Sequence, residues 1–273
     1  MEHSLDSAAW YTHGNVLYGL GHYEAAIARY DKVIAAQPDL FEVWSYRGYA
    51  LEQLKRYREA IASFEQAIKV NPEYSLAWHG KGVALAKLGQ YAEALPYFER
   101  TLKLDSSDYK AWYNRGSALA NLQRYQEALP CFERVIQLTP KDYKAWYNYS
   151  RSLFYLGHYP EALAAVEQAV TIKPTCYYAW NHRGIILSRL ERLQDAIVSF
   201  DRSLELNPND SAALYSKARC YALQNKTDLA RNYLNRAMAL NPTLQRALAK
   251  ADFRLDQLLN NLQQATQTVE TRC

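Results

Sequence analysis

The sequence predicts an all-α chain: a right-handed α-solenoid of seven helical hairpins followed by a C-terminal capping helix. Three observations predict it. Trp10, Trp44, Trp78, Trp112, Trp146 and Trp180 stand 34 residues apart, and Leu214 and Leu248 hold the next two places in that register. Four residues after each comes a small one: Gly14, Gly48, Gly82, Gly116, Ser150, Gly184 and Ala218. Each unit also carries an alanine (Ala26, Ala60, Ala94, Ala128, Ala162, Ala196, Ala230) and, four residues on, a large apolar residue (Tyr30, Phe64, Phe98, Phe132, Val166, Phe200, Leu234). A period of this length marks a stack of identical supersecondary units, none of which buries its apolar face alone.

Within a unit, the small residue and the alanine let two amphipathic helices approach, while tryptophan and the later aromatic fill the space beside that contact. Pro38, Pro72, Pro140, Pro174, Pro208 and Pro242 close six units, because proline cannot continue a helix; Ser106 closes the third. The hairpins span 7–40, 41–74, 75–108, 109–142, 143–176, 177–210 and 211–244 of a single domain, 1–273. In the eighth register Asp252 takes the small position, so 245–262 reads as a lone capping helix whose Leu248, Leu255, Leu258, Leu259 and Leu262 cover the last hairpin. The tail 263–273 reads as frayed. Pro96 and Pro130 fall early in second helices and predict a mild bend there.

Composition excludes several classes. Gly (10) and Pro (9) are too few for a disordered chain, and a net charge of +4 supplies no basic stripe for nucleic acid. No apolar run reaches the roughly 18 residues of a membrane span, and none has the form of a signal peptide. Cys131, Cys176, Cys220 and Cys273 fit no zinc or redox spacing and read as free thiols, which predicts a cytoplasmic protein. There is no phosphate loop, metal-binding histidine pair or nucleophile motif, so neither an enzyme nor a cofactor is expected. His22 and His158 share a turn position and read as capping or surface residues.

A charge pattern follows the repeat. Three residues after each tryptophan-type position come His13, Arg47, Lys81, Arg115, Tyr149, Arg183 and Lys217; just after each second-helix aromatic come Asp31, Glu65, Glu99, Glu133, Glu167, Asp201 and Asn235. Pairing between repeats predicts Asp31–Arg47, Glu65–Lys81, Glu99–Arg115, Glu167–Arg183 and Asp201–Lys217. It also accounts for the uncharged ends, His13 and Asn235. Such pairs set the angle between units more than they stabilise it, since partly exposed pairs are worth about 0–1 kcal/mol.

These motifs resemble the tetratricopeptide repeat family over residues 7–244, most closely in DYKAWYNRGSALANLQRYQEALPCFERVIQLTPK. The resemblance implies that the first helices line a concave groove that grips a protein or peptide. The groove positions would then be Tyr11, Asn15, Tyr46, Tyr49, His79, Lys110, Tyr113, Asn114, Lys144, Tyr147, Asn148, Arg151, Tyr178, Asn181, His182, Tyr215 and Arg219. Tyrosine suits recognition through its contact area and hydroxyl, although such columns also serve repeat-to-repeat packing. Asparagine donates and accepts at once and can hold a peptide backbone; the family uses it at the position of Asn114 and Asn148. The lysines and arginines imply a guest with some acidic character. The carboxylate clamp of chaperone adaptors in the family is matched only at Asn114 and Lys144, so that ligand is not expected. A protein-interaction scaffold or adaptor is the leading reading, without nucleic acid or membrane span. The alternative is a structural protein that self-assembles into a homo-oligomer through its terminal repeats or C-terminal helix.

Overall fold

A computed structural model describes residues 2–241. They form fourteen α-helices and, among the described residues, no strand. The predicted capping helix 245–262, the tail 263–273, Pro242 and Cys273 lie outside the described residues. The chain divides into two compact units after Pro140.

The first unit holds four hairpins. Their helices are α1 (Glu2–Gly19), α2 (Tyr23–Ala36), α3 (Phe41–Gln53), α4 (Tyr57–Val70), α5 (Ser75–Lys87), α6 (Tyr91–Leu104), α7 (Tyr109–Asn121) and α8 (Tyr125–Leu138). The second unit holds three hairpins, built from α9 (Tyr143–Tyr155), α10 (Tyr159–Ile172), α11 (Tyr177–Arg189), α12 (Leu193–Leu206), α13 (Ser211–Leu223) and α14 (Thr227–Leu240). Inside each unit, paired helices pack on each other, each second helix packs on the first helix of the next hairpin, and successive first helices touch. Helices α6 and α8 run unbroken through Pro96 and Pro130.

The small residue serves the aromatic ring rather than the backbone. A Cβ added to Gly48 would lie 2.7 Å from the ring of Phe64, and one added to Gly82 the same distance from that of Phe98. Tyr30, Phe64, Phe98, Phe132 and Phe200, the aromatics opposite a glycine, are fully buried. Where glycine gives way the aromatic gives way too: Ser150 pairs with Val166, and Ala218 with Leu234. The smaller Val166 leaves room for the Ser150 hydroxyl, which donates to the Ala162 carbonyl at 2.7 Å.

The tryptophans do more than fill space. They are half-buried, and the indole N–H of Trp44, Trp78, Trp112 and Trp180 donates to the carbonyl of Pro38, Pro72, Ser106 and Pro174 at 2.9, 2.8, 3.0 and 2.9 Å. Each indole thus latches onto the turn that closes the preceding hairpin. The acceptor is a backbone oxygen, which is why Ser106 replaces proline without loss.

All five predicted inter-repeat ion pairs are present. Arg47–Asp31, Lys81–Glu65, Arg115–Glu99 and Arg183–Glu167 close at 2.6, 2.7, 3.1 and 2.8 Å, and Lys217 pairs with Asp201. Each base also reaches a neutral group on its own second helix. Arg47 donates to Ser63, Arg115 to the Cys131 sulfur and Arg183 to Ser199 (2.7, 3.2 and 2.7 Å). Lys81 lies 4.4 Å from the Tyr97 ring centre, and Lys217 donates to the Tyr233 hydroxyl at 2.8 Å. The base is therefore a pivot between two hairpins. The carboxylates stay about half exposed, so each pair adds at most about 1 kcal/mol.

The turn between paired helices places one residue in the left-handed region in every hairpin: Gly21, Lys55, Gly89, Gln123, Gly157, Glu191 and Asn225. Only three are glycine, although non-glycine residues are strained there. Gln123→Gly is expected to stabilise the chain by about 0.5–1 kcal/mol, read as a higher urea midpoint; Gly89→Ala should move it the other way. His22 and His158, at the starts of α2 and α10, are exposed and make no side-chain cap, so they are surface residues and do not cap.

Candidate functional site

In the first unit the predicted groove residues form two clusters. Around α1 and α3, the Tyr30 hydroxyl donates to Asn15 Oδ1 at 2.9 Å. Tyr46 stacks on Tyr30 with ring centres 6.2 Å apart, and Tyr11 meets Tyr46 edge-on at 6.0 Å. Burial pushes the Tyr11 and Tyr30 hydroxyls above their usual range, so both stay protonated donors. Tyr49 belongs to packing. Its ring lies edge-on to Phe64 at 5.0 Å, and its hydroxyl donates to the Leu76 carbonyl at 2.7 Å, tying the second hairpin to the third.

The second cluster joins α5 to the start of α7. Asp108 caps α7 by accepting from the backbone N–H of Lys110 and Ala111 at 2.9 and 3.0 Å. Its other oxygen meets His79 Nδ1 at 3.1 Å. Asn114 Nδ2 lies 3.0 Å from His79 Nε2, so the ring bridges the Asp108 carboxylate and the Asn114 amide. Burial works against the Asp108 charge, but the bonds from His79, Ala111 and Lys110 outweigh it and hold the carboxyl below its usual range. With both nitrogens engaged, His79 keeps none for moving a proton. What it does is orient Asn114. Tyr113 rests edge-on against Phe132 at 6.0 Å, and Lys110 is exposed.

In the second unit the predicted residues converge on α9 and α11. Tyr147 meets Tyr178 edge-on at 4.9 Å and His182 at 5.5 Å; Phe154 meets His182 at 5.5 Å. The Arg151 guanidinium lies 5.8 Å from the Tyr147 ring centre and its Nη1 is 3.5 Å from Asn148 Oδ1. The Tyr178 hydroxyl donates to Tyr143 at 3.4 Å and Lys173 does so at 3.2 Å. Those bonds, Tyr178's first, hold the Tyr143 hydroxyl below its usual range. His182 is 8% exposed. Burial first, then the Arg151 charge, push it down to about 3, so the ring is neutral. Its Nε2 and the Asn181 Oδ1 are buried without a protein partner. Asp142 caps α9 as Asp108 caps α7, and Lys144 stands exposed on the second residue of that helix. Tyr215 and Arg219 lie half-buried on α13.

Asn114 and Lys110 thus belong to the first unit, Asn148 and Lys144 to the second. Sequence reasoning missed Asp108, Tyr143 and Lys173. Asp108 carried a signal, since Asp108, Asp142 and Asp210 share one register position just before a first helix, where aspartate is a strong cap. Among the described residues no cluster of metal-binding side chains occurs, and no helix is long and apolar enough to cross a membrane.

Family models described as tetratricopeptide repeat match residues 11–64, 56–109, 79–143 and 113–175, and further ones match 177–210 and 199–232. No curated protein matches the chain in sequence. Among solved structures, YrrB, described as a TPR protein with an unusual peptide-binding site, is 22% identical with a TM-score of 0.63, over 69% of this chain and 97% of its own. MamA from Desulfovibrio magneticus RS-1 is 23% identical with a TM-score of 0.60, over 62% of this chain and 96% of its own. The C-terminal part of a TPR repeat-containing protein from Cytophaga hutchinsonii is 19% identical with a TM-score of 0.70, over 89% of this chain and 100% of its own. At these identities the likeness is one of fold.

Proposed function

The chain belongs to the tetratricopeptide repeat family, and from that premise we propose that this interaction scaffold holds an acidic peptide segment of a partner protein against its first helices. One observation carries the reading. Lys110 and Lys144 are the second residues of α7 and α9, at the positive end of each helix dipole, and among the described residues neither ammonium has an ion-pair partner. A cation there costs about 0.3–1 kcal/mol. An outside carboxylate would offset that cost, and Asn114, held in one orientation by His79, stands one turn along α7 to bind the guest's backbone.

The test compares wild type with two double variants, Lys110→Glu/Lys144→Glu and Asn114→Ala/Asn148→Ala, in affinity capture followed by mass spectrometry. Exchanging lysine for glutamate suits the helix dipole, so lost binding would not reflect a damaged fold. Captured proteins should drop by about tenfold or more in the lysine variant, and the bound segments should be acidic. Equal capture by wild type and both variants rejects the reading.

A further inference from the structure

Within each unit, every first helix that follows a second helix hides one stripe beneath it. The place held by Val16 in α1 is taken by Ala50, Ala84, Ala118, Ile186 and Cys220 in α3, α5, α7, α11 and α13, none more than 1% exposed. In α1 the stripe is bare. Val16 is 54% and Leu20 67% exposed, and Ala9 and His13 on the same face are exposed as well. His13 stands where the ladder carries its base. Trp10 stands where four later indoles reach a closing carbonyl, and it borders an open cavity of about 620 Å³ together with Lys32, Ala35 and Ala36.

We propose that this face of α1 is a second docking site, separate from the groove, for an amphipathic helix of a partner protein. That helix carries a carboxylate in register with His13 and ends in a turn whose carbonyl accepts from the Trp10 indole. The occupant's chemistry is read from the chain itself, which covers the equivalent face with a helix bearing an acid paired to the base at this position five times over. A second copy of the chain is a poorer occupant, since its last described second helix, α14, offers Asn235 where the acid is required.

The probe is a fluorescent synthetic peptide of residues 57–74, which carries Glu65 and the Pro72 carbonyl. A staple between positions 62 and 66, both exposed in α4, keeps it helical, since a free helix this short is marginal. Titrated with the full chain, the peptide should bind saturably, and Val16→Asp should weaken it by about tenfold or more without lowering the thermal midpoint of the exposed-site variant. Glu65→Lys in the peptide should weaken binding about two- to fivefold, with His13→Glu restoring it. No binding up to about 1 mM, or affinity untouched by Val16→Asp, overturns the proposal. So does self-association of the chain alone that Val16→Asp abolishes, which would assign the face to a second copy.

Discussion

Phe64→Ala is expected to remove about 3–5 kcal/mol of stability. Phe64 is fully buried and its ring is approached from two hairpins. Gly48, in the same hairpin, and Gly80, in the next, both lie against its Cε1 and Cζ atoms; Tyr49 adds an edge contact at 5.0 Å. The ring therefore joins the second hairpin to the third, and removing it opens a cavity at a junction that stacked helices cannot close. Stability in a stacked array is a sum of unit and junction terms, so the loss should fall locally on these two hairpins. Urea unfolding followed by the fluorescence of Trp44 and Trp78 reads it. A loss below about 1 kcal/mol would mean that the ring is not the fastening element. Gly80→Asn is the complementary test. Asparagine holds this position in the fourth and fifth hairpins, but at Gly80 a side chain must push the Phe64 ring aside, at a cost of about 1–3 kcal/mol.

Acid should weaken the second unit through His182. The unfolded histidine takes up its proton near the ordinary 6.5, whereas the buried one resists until about 3. Its folded-state value is depressed, so its contribution is fully present above about 6.5 and is lost as pH falls toward 3. Between pH 7 and pH 4.5 the loss is about 2–3 kcal/mol, at 1.36 kcal/mol per unit. His182→Phe keeps an aromatic ring beside Tyr147 and Phe154 and removes the titration. Urea unfolding at the two pH values should show wild type losing about 2–3 kcal/mol more than the variant. Equal losses in the two proteins would show that burial of this imidazole does not govern the acid limb.

The repeat frame and the charge ladder were legible because both depend on fixed spacing. A base three residues after the tryptophan-type position meets the acid 16 residues earlier in five hairpins. The indole latch was not legible, since its acceptor is a backbone oxygen with no side-chain signature. The left-handed turn residue was hidden for a related reason: glycine marks it at Gly21, Gly89 and Gly157, but Lys55, Gln123, Glu191 and Asn225 carry no such sign. Gly80 sat in a column read as groove-facing, and only the position of Phe64 explains it. Within the candidate site, the residue types marked positions on the first helices. They could not show that Tyr49 is spent on Leu76, or that Asn114 is steered by His79, because both depend on which hairpin lies opposite.

Within the first unit the ladder and the latch together make the junctions interchangeable. There each hairpin hands the next a carboxylate and a carbonyl, which the next receives through a base and an indole. Excising residues 75–108 would set Glu65 against Arg115 and the Pro72 carbonyl against Trp112, leaving Asn114 in place of Gly80 beside Phe64 as the awkward seam. The reach of this scaffold is in that sense a quantity that can be changed by whole modules, with one glycine deciding how smoothly the shortened version closes.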